Sequence, residues 1–135
     1  NQTNPWDYPS ISSGEFNTTT SNLSNCTLAT ASKAAWMRVG NVVTVSGRVT
    51  LNVTSTSYAS FQLTLPIKSS FGINNWQLNG VAKIGNNDYS GDVASIEAFG
   101  DIIYGKGYAL FTFKPSTTGQ KYITYIYQYI IGNWN

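Results

Sequence analysis

Histidine is absent from this chain, and that absence removes whole classes of chemistry. A Ser-His-Asp or Cys-His arrangement is excluded, and so is any zinc site built on imidazole. Cysteine is nearly absent too: Cys26 stands alone, so no disulfide can form within the chain. Its plainest role is that of a small apolar side chain buried in a strand. Charge is scarce, at 10% of residues, against the quarter usual in globular domains. Basic residues form no run, and a net charge of +2 gives no electrostatic reason to bind nucleic acid or an anionic membrane. Apolar runs are short, far below the ~18 residues of a spanning helix, so no membrane insertion is expected. No segment keeps a 3.6-residue period over three turns.

Carboxylates are equally few: Asp7, Glu15, Asp88, Asp92, Glu97 and Asp101. A glycosidase needs two of them facing each other across a cleft. The close pairs, Asp88/Asp92 and Glu97/Asp101, flank loops where solvated acids are common. No catalytic residue is assigned. The loop from Asn86 to Asp92 offers oxygen ligands but lacks the spacing of a calcium-binding EF-hand loop, so no metal or cofactor is expected. Gly105-Lys106-Gly107 leads into a strand, not into the helix N-terminus that a phosphate cradle requires.

What the sequence has in abundance is alternation. From Val42 to Thr54, Val43, Val45, Val49, Leu51 and Val53 fall on one face and Thr44, Ser46, Arg48, Thr50 and Asn52 on the other. Successive strand residues point to opposite sides of a sheet, so this strand is half buried. Gly40-Asn41, between it and Trp36–Val39, supplies the turn of a tight hairpin. Gly47 interrupts the apolar face, which predicts a bulge, a bend or a close neighbour.

Further strands are predicted at Thr27–Val39 (irregular), Tyr58–Pro66, Trp76–Ile84, Val93–Phe99, Ile102–Tyr104, Tyr108–Lys114 and Lys121–Ile131. Turn chemistry separates them, most densely in Gly85–Asp92. About eight short strands at this spacing predict an all-β fold, an antiparallel β-sandwich with jelly-roll wiring. The 135 residues suffice for one core. Residues 1–12, with two prolines and no periodicity, read as a connecting arm, and 13–135 as the sandwich domain. The missing initiator Met suggests a piece of a longer protein.

Two groups of aromatics stand out. In the last strand Ile123, Tyr125, Tyr127, Tyr129 and Ile131 share one face, while Ile126 and Ile130 supply apolar groups to the other. Strands apolar on both faces are covered on both. The tyrosines read either as an exposed aromatic face with hydroxyls in water or as a contact between subunits. The second group lies in loops, where binding function concentrates: Tyr58, Trp76, Asp88, Tyr89 and Tyr104. Flat rings take up the apolar C–H faces of sugars, and carboxylates and amides take their hydroxyls. Trp76 also shares a register with Leu78, Ala82 and Ile84, which would place it in the core. Five N-x-Ser/Thr sequons begin at Asn1, Asn17, Asn22, Asn25 and Asn52. Any Asn- and Thr-rich β-surface generates such triplets by chance.

The segment Trp36-Met37-Arg38-Val39-Gly40-Asn41-Val42-Val43-Thr44-Val45-Ser46-Gly47 resembles one that recurs in terminal domains of bacteriophage tail-fibre, tail-spike and capsid-fibre proteins. Upstream, Gly14-Glu15-Phe16-Asn17 and Asn22-Leu23-Ser24-Asn25-Cys26-Thr27 are similar to the opening of those domains. Asn17-Thr18-Thr19 departs from it where a proline is usual. Downstream, Phe61-Gln62-Leu63-Thr64-Leu65-Pro66-Ile67 and the aromatic closing strand also resemble the family, so the likeness runs from about Gly14 to Ile131, with Asn74 to Gly107 outside it. It implies a knob on the virion surface, extracellular and homotrimeric, with Tyr125, Tyr127 and Tyr129 between subunits. It further implies a non-enzymatic, receptor-binding tip recognising bacterial surface polysaccharide or an outer-membrane protein. Two other readings fit the same residues: a structural trimerisation or capping domain without its own ligand, and a secreted carbohydrate-binding module.

Overall fold

The computed structural model describes residues 11–71, 75–85, 91–100 and 107–132. They form ten strands and one turn of 3-10 helix. The strands are β1 (Ile11–Phe16), β2 (Thr20–Ser24), β3 (Cys26–Ala31), β4 (Ala34–Val39) and β5 (Val42–Val53). They continue as β6 (Ala59–Thr64), β7 (Leu78–Gly85), β8 (Gly91–Gly100), β9 (Tyr108–Phe113) and β10 (Gly119–Ile130), with the helical turn at Asn75–Gln77. Every ladder is antiparallel, so the fold is all-β.

The ladders form one continuous sheet in the order β1-β4-β5-β10-β7-β8-β9-β6-β2, with β3 beside β5. They join without a break, and the sheet curls until its two halves face each other. The inner faces meet through aromatic rings: Phe111 lies against both Tyr125 and Tyr127, with centroids 5.4 and 6.1 Å apart. Phe61 stacks on Phe111 at 5.1 Å. Each fully buried Phe contributes roughly 1.5–3 kcal/mol in apolar transfer.

Two of the strands, β1 and β2, have sequences too polar to announce themselves; pairing with β4 and β6 makes them strands. β1 begins at Ile11, inside the span read as a connecting arm. The irregular strand expected over Thr27–Val39 divides into β3 and β4, both on the same edge of β5. The break falls opposite Gly47. A Cβ there would stand 2.5 Å from the Tyr125 hydroxyl and 3.1 Å from the Ala34 Cβ. The close neighbour expected there is observed, and the pairing also slips by one residue, from Ala31 opposite Val49 to Ala35 opposite Ser46.

Tyr125, Tyr127 and Tyr129 are 1–2% exposed within a single chain. The subunit-interface expectation for these three residues is therefore corrected. They are the core of one protomer, because β10 sits mid-sheet between β5 and β7 and its odd-numbered face turns inward. Their hydroxyls reach across to backbone on the other side: Tyr127 donates to the Thr64 carbonyl at 3.4 Å, and Tyr129 to the Ile67 carbonyl at 2.6 Å. Tyr129 Oη also accepts from the Ile67 N–H at 3.2 Å. Buried tyrosine hydroxyls need such partners.

Candidate functional site

Strand directions, read from the ladder registers, sort the connections into two ends. At one end lie the β2–β3 turn, the β5–β6 loop, the Gly85 and Gly91 ends of β7 and β8, and the β9–β10 connection. At the other lie the β4–β5 hairpin, the segment leaving β6, the 3-10 turn before β7, and the Gly100 and Tyr108 ends of β8 and β9. Tyr58 belongs to the first end and Trp76 to the second. These two loop candidates therefore do not belong to one site. Asp88, Tyr89 and Tyr104 lie outside the described residues.

Trp76 is 65% exposed. Its alternation with Leu78 and Ile84, both buried, is broken by the 3-10 turn at Asn75–Gln77, so it does not join the core. The inward placement read from its register is corrected; its candidacy as an exposed loop aromatic stands.

Tyr58 is the most exposed large hydrophobic side chain among those described, at 72%. Its position is nevertheless well held. Asn25 adopts φ +59°, a conformation Asn tolerates better than most residues. From there it grips both ends of the loop: its carbonyl accepts from the Thr54 N–H at 3.0 Å, and its amide donates to the Tyr58 carbonyl at 2.8 Å. Within the loop the Ser57 N–H donates to Ser55 Oγ at 3.0 Å. Lys114, at the end of β9, donates to the Thr56 carbonyl at 3.2 Å and places Nζ 5.4 Å from the Tyr58 ring centroid. An exposed cation–π contact of this kind is worth about 0.5–1 kcal/mol.

The result is a preset aromatic plate, bordered by amide, hydroxyl and ammonium groups. Such a surface can stack on an apolar ring face and hydrogen-bond its substituents. Sequence reasoning found Tyr58 but missed Asn25 and Lys114, which lie 33 and 56 residues away along the chain. The one available signal was Asn25 itself, a turn-forming residue between two strands.

A second feature is the outward face of β1, β4, β5, β10 and β7. Val81 and Ile126 are 61% and 47% exposed there, and Met37, Val39 and Val42 are exposed beside them. Only Ile126 and Ile130 had been visible in advance, as the apolar residues on the even-numbered side of the last strand. Comparison with known proteins yields no match: no family model, no curated protein and no solved structure resembles the chain at a significant level.

Proposed function

We propose that this domain is a non-enzymatic binding module, the receptor-binding tip of a bacteriophage fibre or spike that attaches to a bacterial surface glycan. The observation that carries the binding reading is the Tyr58 plate: a tyrosine 72% exposed, its backbone carbonyl held by Asn25 and its ring flanked by Lys114. Preorganisation of this kind lowers the entropy lost when a ligand docks. The phage assignment rests on the Trp36–Gly47 segment and on the flanking blocks that resemble fibre domains. A surface wetted by Asn, Ser and Thr instead of charge is compatible with life outside the cell.

The test is binding of the purified domain to a panel of bacterial capsular polysaccharides and lipopolysaccharides, with whole cells as a second format. Tyr58→Ala should weaken binding by roughly 1–2 kcal/mol, about five- to thirtyfold, without lowering the melting temperature. Trp76→Ala, at the opposite end of the sheet, should leave the same interaction unchanged. If wild type binds no glycan, the reading of a structural cap or of a protein receptor replaces this one. Should Tyr58→Ala bind as wild type does, the plate is not the site.

A further inference from the structure

Lys114 brings a positive charge to the Tyr58 plate, and its surroundings leave that charge unneutralised. The described connections around the ring are residues 25, 54–58 and 114–118, and Lys114 is the sole ionised group among them. Lys121, at the start of β10, is 1% exposed and donates to Thr117 Oγ1, so it adds no charge to the surface. The acids of β8, Asp92 and Glu97, lie on the other flank of Lys114. β9 runs between β8 and β6, and the Lys114 ammonium turns to the β6 side, where it meets Thr56 and Tyr58. No carboxylate among the described residues pairs with it.

We infer that the Tyr58 plate selects acidic glycans, with Lys114 attracting the carboxylate of a uronic or sialic acid whose ring lies on Tyr58. The inference rests on the glycan reading of the plate and adds the charge of the sugar to it. Preorganisation supports it. The Thr56 carbonyl, two residues from Tyr58, accepts one of the ammonium N–H groups at 3.2 Å. Cation and ring are thereby held by one loop, and the long lysine side chain is ordered before any ligand arrives. Two N–H groups remain for ligand oxygens, directly or through a water.

The electrostatics of the ring act in the same direction. An aromatic face carries negative potential, which disfavours an anion beside it. The ammonium, with Nζ 5.4 Å from the Tyr58 centroid, offsets that potential. An acidic sugar can then stack where a bare tyrosine would oppose it. A carboxylate held ~6 Å from the ammonium at an exposed surface binds about three- to tenfold more tightly than its neutral counterpart. The charge therefore sets selectivity, while the ring and the surrounding amide and hydroxyl groups supply contact common to acidic and neutral sugars.

Carboxyl reduction isolates the charge. The probes are capsular polysaccharides built on glucuronate, galacturonate or sialate, each in native form and after carbodiimide–borohydride reduction. That treatment turns every carboxylate into a neutral alcohol and keeps the linkages. Biolayer interferometry with the purified domain should show native forms bound about three- to tenfold more tightly than reduced ones. The difference should shrink as salt rises from about 50 to about 500 mM. Lys114→Gln should bring the native forms down to the affinity of the reduced ones and leave the reduced ones unchanged. Lys114→Arg should keep the difference, because it keeps the charge. Equal affinity of wild type for native and reduced forms overturns the inference and leaves the glycan reading standing. A preference for native forms that survives Lys114→Gln overturns it too, since another group then reads the charge. So does equal weakening of both forms by Lys114→Gln, which would make the lysine a support of the loop alone. Absence of binding to any polysaccharide, acidic or neutral, removes the glycan reading and this inference with it.

Discussion

Alkaline pH should unlock the core through Tyr129. In the folded chain this phenol is 1% exposed, and burial pushes its pKa up to about 12, despite the opposing pull of the Ile67 backbone and of Arg38. In the unfolded chain a tyrosine titrates near ~10. The folded value is the higher one, so the unfolded state releases its proton first as pH rises. The stabilisation is whole below about pH 10 and is lost between pH 10 and about 12. Two pKa units correspond to on the order of 2–3 kcal/mol, a large fraction of the stability of a small domain. Tyr129→Phe isolates the effect. At neutral pH the variant loses the hydroxyl that bonds both the N–H and the carbonyl of Ile67, a cost of about 1–3 kcal/mol. Urea melts of both proteins from about pH 8 upward should show wild type ahead at first, with the gap closing through the window. The difference between the two proteins removes the contribution of lysines, which titrate in the same range. A gap that stays constant to pH 12, or a phenolate absorbance step at Tyr129 near pH 10 with the fold intact, would refute the reasoning.

Three more outcomes follow from packing. Gly80→Ala should cost about 1–3 kcal/mol or more, because its Cβ would stand 2.4 Å from the Ile126 carbonyl oxygen and 2.6 Å from the Tyr127 Cβ; a denaturant midpoint equal to wild type would count against it. Gln62→Ala should lower stability by about 1–3 kcal/mol, since the fully buried Gln62 Oε1 accepts from both Ser21 Oγ at 2.7 Å and Asn22 Nδ2 at 2.8 Å; thermal melts measure it. Cys26 should react slowly with thiol reagents in native protein and rapidly in urea, because burial raises its pKa and shields the sulfur; equal rates in both conditions would contradict the packing.

Local pattern was enough for the class and for most strands. The alternation of Val43, Val45, Val49, Leu51 and Val53 is a property of five side chains and a period of two, and each of them is buried as that period demands. Gly40 adopts φ +62° at the hairpin, where only the turn itself sets the requirement. Periodicity could equally say that Tyr125, Tyr127 and Tyr129 share a face. It could not say what lies against that face. Phe61 and Phe111 occupy it, and they come from β6 and β9, which the curl of the sheet carries across the core.

The strands hidden from pattern reading, Ile11–Phe16 and Thr20–Ser24, have almost no apolar alternation and exist because a neighbour offers an unpaired edge. Trp76 was misplaced for a related reason: alternation extrapolates straight through a turn that ends the strand. The candidate site divides along the same line. An aromatic in a polar loop marks Tyr58 from sequence alone, because turn chemistry is local. The grip of Asn25 and Lys114 on that loop, its separation from Trp76, and the apolar row of Ile11, Val39, Val42 and Ile130 all depend on strand order and register. Those are set by contacts between residues far apart in the chain, so only the folded sheet could decide them.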